Sequence, residues 1–174
     1  MACSITVSGR SFPCKDKIGG IKRVWVKAFD AADWGAVSNG AISDAASAIT
    51  VFGFELTKNT GSFQQTVTAS VENGTVFFSQ VLELTMPNLV AADNAELYDL
   101  LKSRLCVIVQ DNNDNYMIMG HTTGAEATGG TFGTGTAKGD LNGYQIQLTA
   151  EEAIPAPFLT TVSGGNVTFT AGTP

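Results

Sequence analysis

The chain has 174 residues, the length of one domain able to bury about 70% of the surface its unfolded form exposes. It is 44% hydrophobic but only 15% charged, with 16 acidic against 10 basic residues and a net charge of −6. That balance excludes a generic phosphate-gripping surface, which needs clustered Lys and Arg, and no apolar run approaches the ~20 residues of a membrane-spanning helix.

The charged fraction lies well below the roughly 25% typical of soluble domains. Neutral polar surface is buried against partners at less cost than ionised surface. The composition therefore predicts an obligate assembly, with a self-sufficient Thr/Ser/Gly-rich β-domain as the alternative.

Residues 1–20 are polar and turn-rich, with Pro13 and the Gly19-Gly20 pair, and read as an extended N-terminal arm. They lack a basic segment followed by an apolar one, so export by a cleaved leader is not expected. Cys3 and Cys14 either pair or stay reduced; the spacing leaves both open. The run Ile21–Phe29 mixes Lys and Arg with Val24, Trp25 and Val26, so neither face is purely polar and an edge or interface-facing strand is expected. Residues 30–48 are rich in Gly, Ala, Ser and Asp and read as a loop too small-residued for a core. Ile49–Thr57 then has strand composition.

A long hairpin is predicted around Asn73-Gly74, a pair suited to a two-residue type I′ turn, with arms Phe63–Glu72 and Thr75–Met86. On the first arm Val67, Ala69 and Val71 share one face. Gln64, Thr66, Thr68 and Ser70 share the other, which is polar but uncharged. A helix follows at about 91–103, with Asp93 and Glu96 forming a start like a capping box and Leu97, Leu100 and Leu101 forming an apolar stripe.

Strands are expected at Arg104–Gln110, with Cys106 as a small core hydrophobe, and at Tyr116–Gly120 beyond the turn Asp111–Asn115. A glycine-rich loop at 124–140 and a turn at Asp140–Gly143 lead into Gly143–Glu151. There Tyr144, Ile146 and Leu148 alternate with Gln145, Gln147 and Thr149. A short strand at Phe158–Val162 closes a single domain of residues 21–162. Residues 163–174 read as a tail with one β-prone patch, Val167-Thr168-Phe169.

Little chemistry is predicted. The glycine run fits no phosphate loop, because Lys138 stands between Ala137 and Gly139 and a strand rather than a helix follows. Asp111, Asn113 and Asn115 match the start of a calcium loop, but Tyr116 replaces the required Gly and Thr122 the bidentate Glu. His121 is the single histidine, with no nucleophile motif beside it. No enzyme activity, cofactor or metal is expected.

The order of elements, with "SVENGTVFFSQVLEL" and "GTGTAKGDLNGYQIQLTAEEAIPA", resembles tailed-bacteriophage tail tube proteins over residues 71–157, half the chain. The resemblance implies a mainly-β fold, an antiparallel β-sandwich or barrel with one flanking helix and a long hairpin. It implies stacked, hexameric rings in the virion tail, with double-stranded DNA passing through the lumen without specific binding and other tail proteins as further partners. Carried onto this chain, Gln64, Thr66, Thr68 and Ser70 would line the lumen. Phe12, Trp25, Trp34, Gly133 and Gly135 would lie at contacts between copies. The tail has no counterpart in the family. The alternatives are another virion component (a capsid decoration or tail-completion protein) or a carbohydrate-binding β-sandwich, which would need Trp25 and Trp34 exposed.

Overall fold

The run Leu105–Gln110 shows no alternation, and all six residues are buried. A strand buried on both faces lies inside a sheet that is itself covered on both faces. A computed structural model describes residues 9–10 and 15–171. In it this run belongs to β6 (Leu105–Asp111), the middle strand of a seven-stranded sheet. The other six are β1 (Ile21–Ala28), β2 (Ala41–Ile42), β3 (Ile49–Glu55), β7 (Tyr116–Met119), β10 (Phe158–Leu159) and β11 (Val167–Thr170), in the order β11-β3-β1-β6-β7-β10-β2. A four-stranded antiparallel sheet holds β4 (Gly61–Ser70), β5 (Thr75–Pro87), β9 (Gly143–Glu152) and β8 (Glu126–Gly133), in the order β4-β5-β9-β8. The fold is mainly β with one helix among the described residues, and neither sheet closes into a barrel.

Two cores result. The first lies between the sheets, where Val24, Val26, Val107 and Val109 meet Leu82, Leu84, Ile146 and Leu148. Helix α1 (Ala91–Lys102) covers one side of this core with Leu97, Leu100 and Leu101, as its apolar stripe predicts. The capping box does not form: Val90 is the N-cap and Asp93 lies within the first turn, where its charge still opposes the helix dipole. The start of the helix is fixed instead by Tyr144, whose hydroxyl donates to the Val90 carbonyl at 3.0 Å and accepts from its N–H at 3.2 Å.

The second core lies on the far face of the larger sheet and corrects two expectations. β1 is not an edge strand but sits between β3 and β6, because Val24-Trp25-Val26 is buried on both faces. Its charges are answered locally by Lys22–Asp114, Arg23–Glu55 and Lys27–Asp33 pairs. Residues 30–48 do reach a core: Trp34, Ile42 and Ala45 are buried there with Trp25, Cys106 and Ile108. A type I′-like turn at Asn39-Gly40 (φ 51° and 76°) shapes this segment, with Ser38 and Ala41 exchanging both backbone bonds.

The hairpin arms form as expected, but the turn differs. Ser70 pairs with Thr75, leaving the four-residue loop Val71–Gly74 in which only Gly74 has a positive φ. This register sets Phe63 against Leu82, Gln65 against Gln80 and Val67 against Phe78, and such like-with-like pairs outweigh the local preference of Asn-Gly. The glycine-rich stretch is likewise not all loop, since residues 126–133 form β8. The C-terminal patch is a strand too: β11 pairs in parallel with β3, so the sheet extends beyond residue 162 into the expected tail.

Candidate functional site

The outer face of the four-stranded sheet is built by simple alternation. Leu82, Leu84, Ile146 and Leu148 point into the core, so their neighbours must point out. Gln64, Thr66 and Thr68 are exposed on this outer face and Ser70 is half-buried, so the four expected residues share one surface. Cross-strand pairing extends it. Thr66 faces Ser79, which faces Glu151; Gln64 faces Val81, which faces Thr149; and Glu83 and Thr85 face Gln147 and Gln145.

Side-chain bonds knit the surface together. Thr128 and Thr149 hydroxyls lie 2.9 Å apart, Thr131 donates to Gln145 Oε1 at 3.1 Å, and Gln147 Nε2 donates to Glu83 Oε1 at 3.4 Å. The contribution of β5, β8 and β9 to this face was missed in the sequence as a site. The Gln145/Gln147/Thr149 alternation was its available signal. None of the four strands contains a Lys or Arg, while Glu83, Glu126, Glu151 and Glu152 all lie in them. The field over this face is therefore neutral to negative, and Arg104 beside Glu126 is held in an ion pair.

Neither edge strand of this sheet pairs with a further strand, although helix α1 lies close to β8. β4 offers ten residues without a charge or proline, and beyond Glu126 β8 is equally uncharged, with one bulge between Ala127 and Gly129. Natural monomers usually blunt long edges with Lys, Pro or a covering segment. The hairpin also projects past the core, leaving Val67, Val71 and Val76 at 58%, 98% and 57% exposure.

The expected contact residues are scattered. Gly133 ends β8 opposite Gly143, with open space where a side chain would stand. Gly135 lies in the following loop at φ +67°. Trp25 and Trp34 are not surface residues, at 5% and 7% exposure: large rings next to small-residued segments fill the second core from within. Trp25 packs edge-on against Phe169 at 4.9 Å. Trp34 Nε1 donates to Cys106 Sγ at 3.1 Å, and burial pushes that thiol up to about 12 despite the bond. Their burial also removes both tryptophans as a glycan platform. Phe12, Cys3 and Cys14 lie outside the described residues.

The sites that resembled ligand loops are filled by their own chain. The Asp140 carboxylate accepts N–H bonds from Ala137 (2.7 Å) and Thr136 (2.9 Å), which hold it below the ordinary range. The turn spans Ala137–Asp140, earlier than expected, and its donors already face an anion. Asp111 accepts from the backbone N–H groups of Asn113 and Asn115 and from both their side-chain amides. Partial burial pushes its carboxyl up, but the bonds from Asn115 and Asn113 outweigh this and hold it low. Among the described residues no cluster of three or more His, Cys, Asp or Glu side chains is placed to hold a metal, and no helix is long and apolar enough to cross a membrane.

One buried polar cluster went unseen in the sequence. The chain leaves the larger sheet after β7 through Gly120 (φ +71°), where a Cβ would lie 2.6 Å from the Ala125 nitrogen. Gln80 Oε1 accepts from the Gly120 N–H, and Glu152 Oε1 accepts from the N–H groups of Thr122 and Thr123 and from the Thr123 hydroxyl. Gln80 and Glu152 are 0% and 1% exposed. His121, beside them, hydrogen-bonds through Nδ1 to the Thr122 hydroxyl. Compared with protein-family models, curated proteins and solved structures, the chain matches none.

Proposed function

We propose that this chain is a structural, non-enzymatic subunit of a bacteriophage tail tube. Copies join edge to edge into rings, hexameric by the family resemblance, and the rings stack into a channel that double-stranded DNA traverses in the virion. The observation that carries the reading is the smaller sheet: two long edges without a strand partner flank a face rich in Ser, Thr and Gln whose strands hold no basic residue.

Strand count fits ring closure. Four antiparallel strands leave β4 and β8 running in opposite directions. Under rotation about an axis roughly along the strands, β8 of one copy therefore meets β4 of the next in antiparallel sense, so the seam repeats the pairing used within each copy. Closure removes both edges at once. The face then lines the lumen, where its strands offer phosphates no basic residue and the apolar Phe77 and Val81, opposite Thr68 and Gln64, are half-buried among polar neighbours.

Electron microscopy of the purified protein tests the reading. Rings with an open channel, single or stacked, are the expected result, and a persistent monomer at high concentration overturns it. A capsid decoration protein would instead bind only preformed shells.

A further inference from the structure

In an Asn-Gly pair a side-chain amide stands next to a backbone nitrogen that no side chain shields. That nitrogen can attack the amide carbon and close a five-membered ring. The attack requires the peptide between the two residues to turn, so it succeeds only where nothing holds that peptide. The chain has three such pairs, Asn39-Gly40, Asn73-Gly74 and Asn142-Gly143. Two are held. Ser38 and Ala41 exchange backbone bonds of 2.9 and 3.0 Å around Asn39-Gly40, and the Gly40 carbonyl accepts from the Phe158 N–H at 3.0 Å. The Asn142 carbonyl accepts from the Asn88 N–H at 2.7 Å, and Gly143 is buried between its strand partners Pro87 and Gly133.

Asn73-Gly74 is different. Both residues are exposed in the four-residue loop at the hairpin tip, and no atom lies within 4 Å of where a Gly74 Cβ would stand. The Asn73 N–H donates to Ser70 Oγ at 3.3 Å, but this bond lies on the other side of the Asn73 Cα from the peptide that must turn. The Asn73 side chain, its carbonyl and the Gly74 N–H bond to no other group among the described residues.

We propose that Asn73 is a site of spontaneous modification, at which the folded chain converts its own asparagine into a mixture of aspartate and isoaspartate. The Gly74 nitrogen loses its proton to hydroxide and bonds to Asn73 Cγ. The Cγ–Nδ2 bond breaks, and Nδ2 takes a proton from water and leaves as ammonia. One water then opens the cyclic imide. Attack at Cγ breaks its bond to the Gly74 nitrogen and gives aspartate. Attack at the main-chain carbonyl carbon gives isoaspartate, with the chain now running through the former side chain. The balance is one water consumed and one ammonia released, with no change of oxidation state. Each event sets a new carboxylate beside the exposed Glu72.

The test incubates the full-length protein in mildly alkaline buffer, where hydroxide speeds the first step, and follows each Asn-Gly pair by peptide mass mapping. The segment holding Asn73 should gain one mass unit, with isoaspartate present beside aspartate. Its rate should exceed those at Asn39 and Asn142 by at least about tenfold, because both of those must first give up backbone hydrogen bonds. In urea-unfolded protein the three rates should converge. Asn73→Gln should leave the tip unchanged, since the longer side chain would have to close a six-membered ring. An Asn73 that persists in the folded protein while the unfolded chain reacts overturns the proposal, as does equal reactivity of Asn39 or Asn142 in the folded state. Aspartate formed without isoaspartate overturns the ring-closing step.

Discussion

The two sheets share a core yet solve opposite problems. The seven-stranded sheet is covered on both faces: Val107 and Val109 enter one core, Cys106 and Ile108 the other, and both tryptophans are spent inside it. The four-stranded sheet buries one face and keeps the other largely polar, without a Lys or Arg in its strands and with edges that pair with no further strand. Stability is concentrated in the first and availability for contact in the second. The chain can thus carry an uncovered polar face because that face is not asked to hold the fold alone.

This contrast is broken most forcefully in the larger sheet. Ile118→Asp places an unpaired carboxylate at a position with 0% exposure. It should remove about 4 kcal/mol or more of stability, seen as loss of the cooperative thermal transition; a variant that melts like the parent would show that this core is not where stability resides. A smaller effect is expected at Gly143, where a Cβ would run into the Met86 carbonyl oxygen. Gly143→Ala should cost about 1–3 kcal/mol by forcing β9 off β5, with lost protection of the Met86–Tyr144 pairing in hydrogen exchange.

The Asp111 turn gives a weaker, pH-dependent effect. Its folded pKa is depressed, so its contribution is fully present above the unfolded value of about 3.9 and is lost as pH falls through the folded value. Asp111→Asn should therefore melt below the parent at neutral pH, with the gap closing in acid; a gap that widens below pH ~4 would reverse the sign. Least of all should Thr68→Lys disturb the fold, within about 0.5 kcal/mol for an exposed site. The assembled variant should nevertheless retain double-stranded DNA that the parent releases at low salt. If Thr68 proves to lie on the outer wall of the assembly, the lumen assignment fails.

Legibility followed the same divide. The alternation Gln64/Thr66/Thr68 and Tyr144/Ile146/Leu148 was readable because a half-buried strand writes its two faces into the sequence at period two. Helix α1 was readable from Leu97, Leu100 and Leu101. β1 was misread because burial on both faces erases alternation, so the Lys and Arg near its ends dominated the impression. Residues 30–48 were misread because small residues beneath Trp34 resemble a loop. β8 has glycines where a pattern would be, and β11 pairs in parallel with β3 across more than a hundred residues, a relation that leaves no local trace. The contact residues shared this fate: the family resemblance pointed to the tryptophans, and packing claimed them.

The buried Glu152 has a mechanical consequence. The chain passes from one layer to the other through the Gly120–Thr123 turn, and one carboxylate oxygen there holds two backbone N–H groups and a hydroxyl at once, while Gln80 holds a third N–H. A force that slides one layer over the other must break these bonds together rather than in turn. The joint works as a rivet: shear applied to the exposed hairpin is passed whole into the rigid sheet behind it.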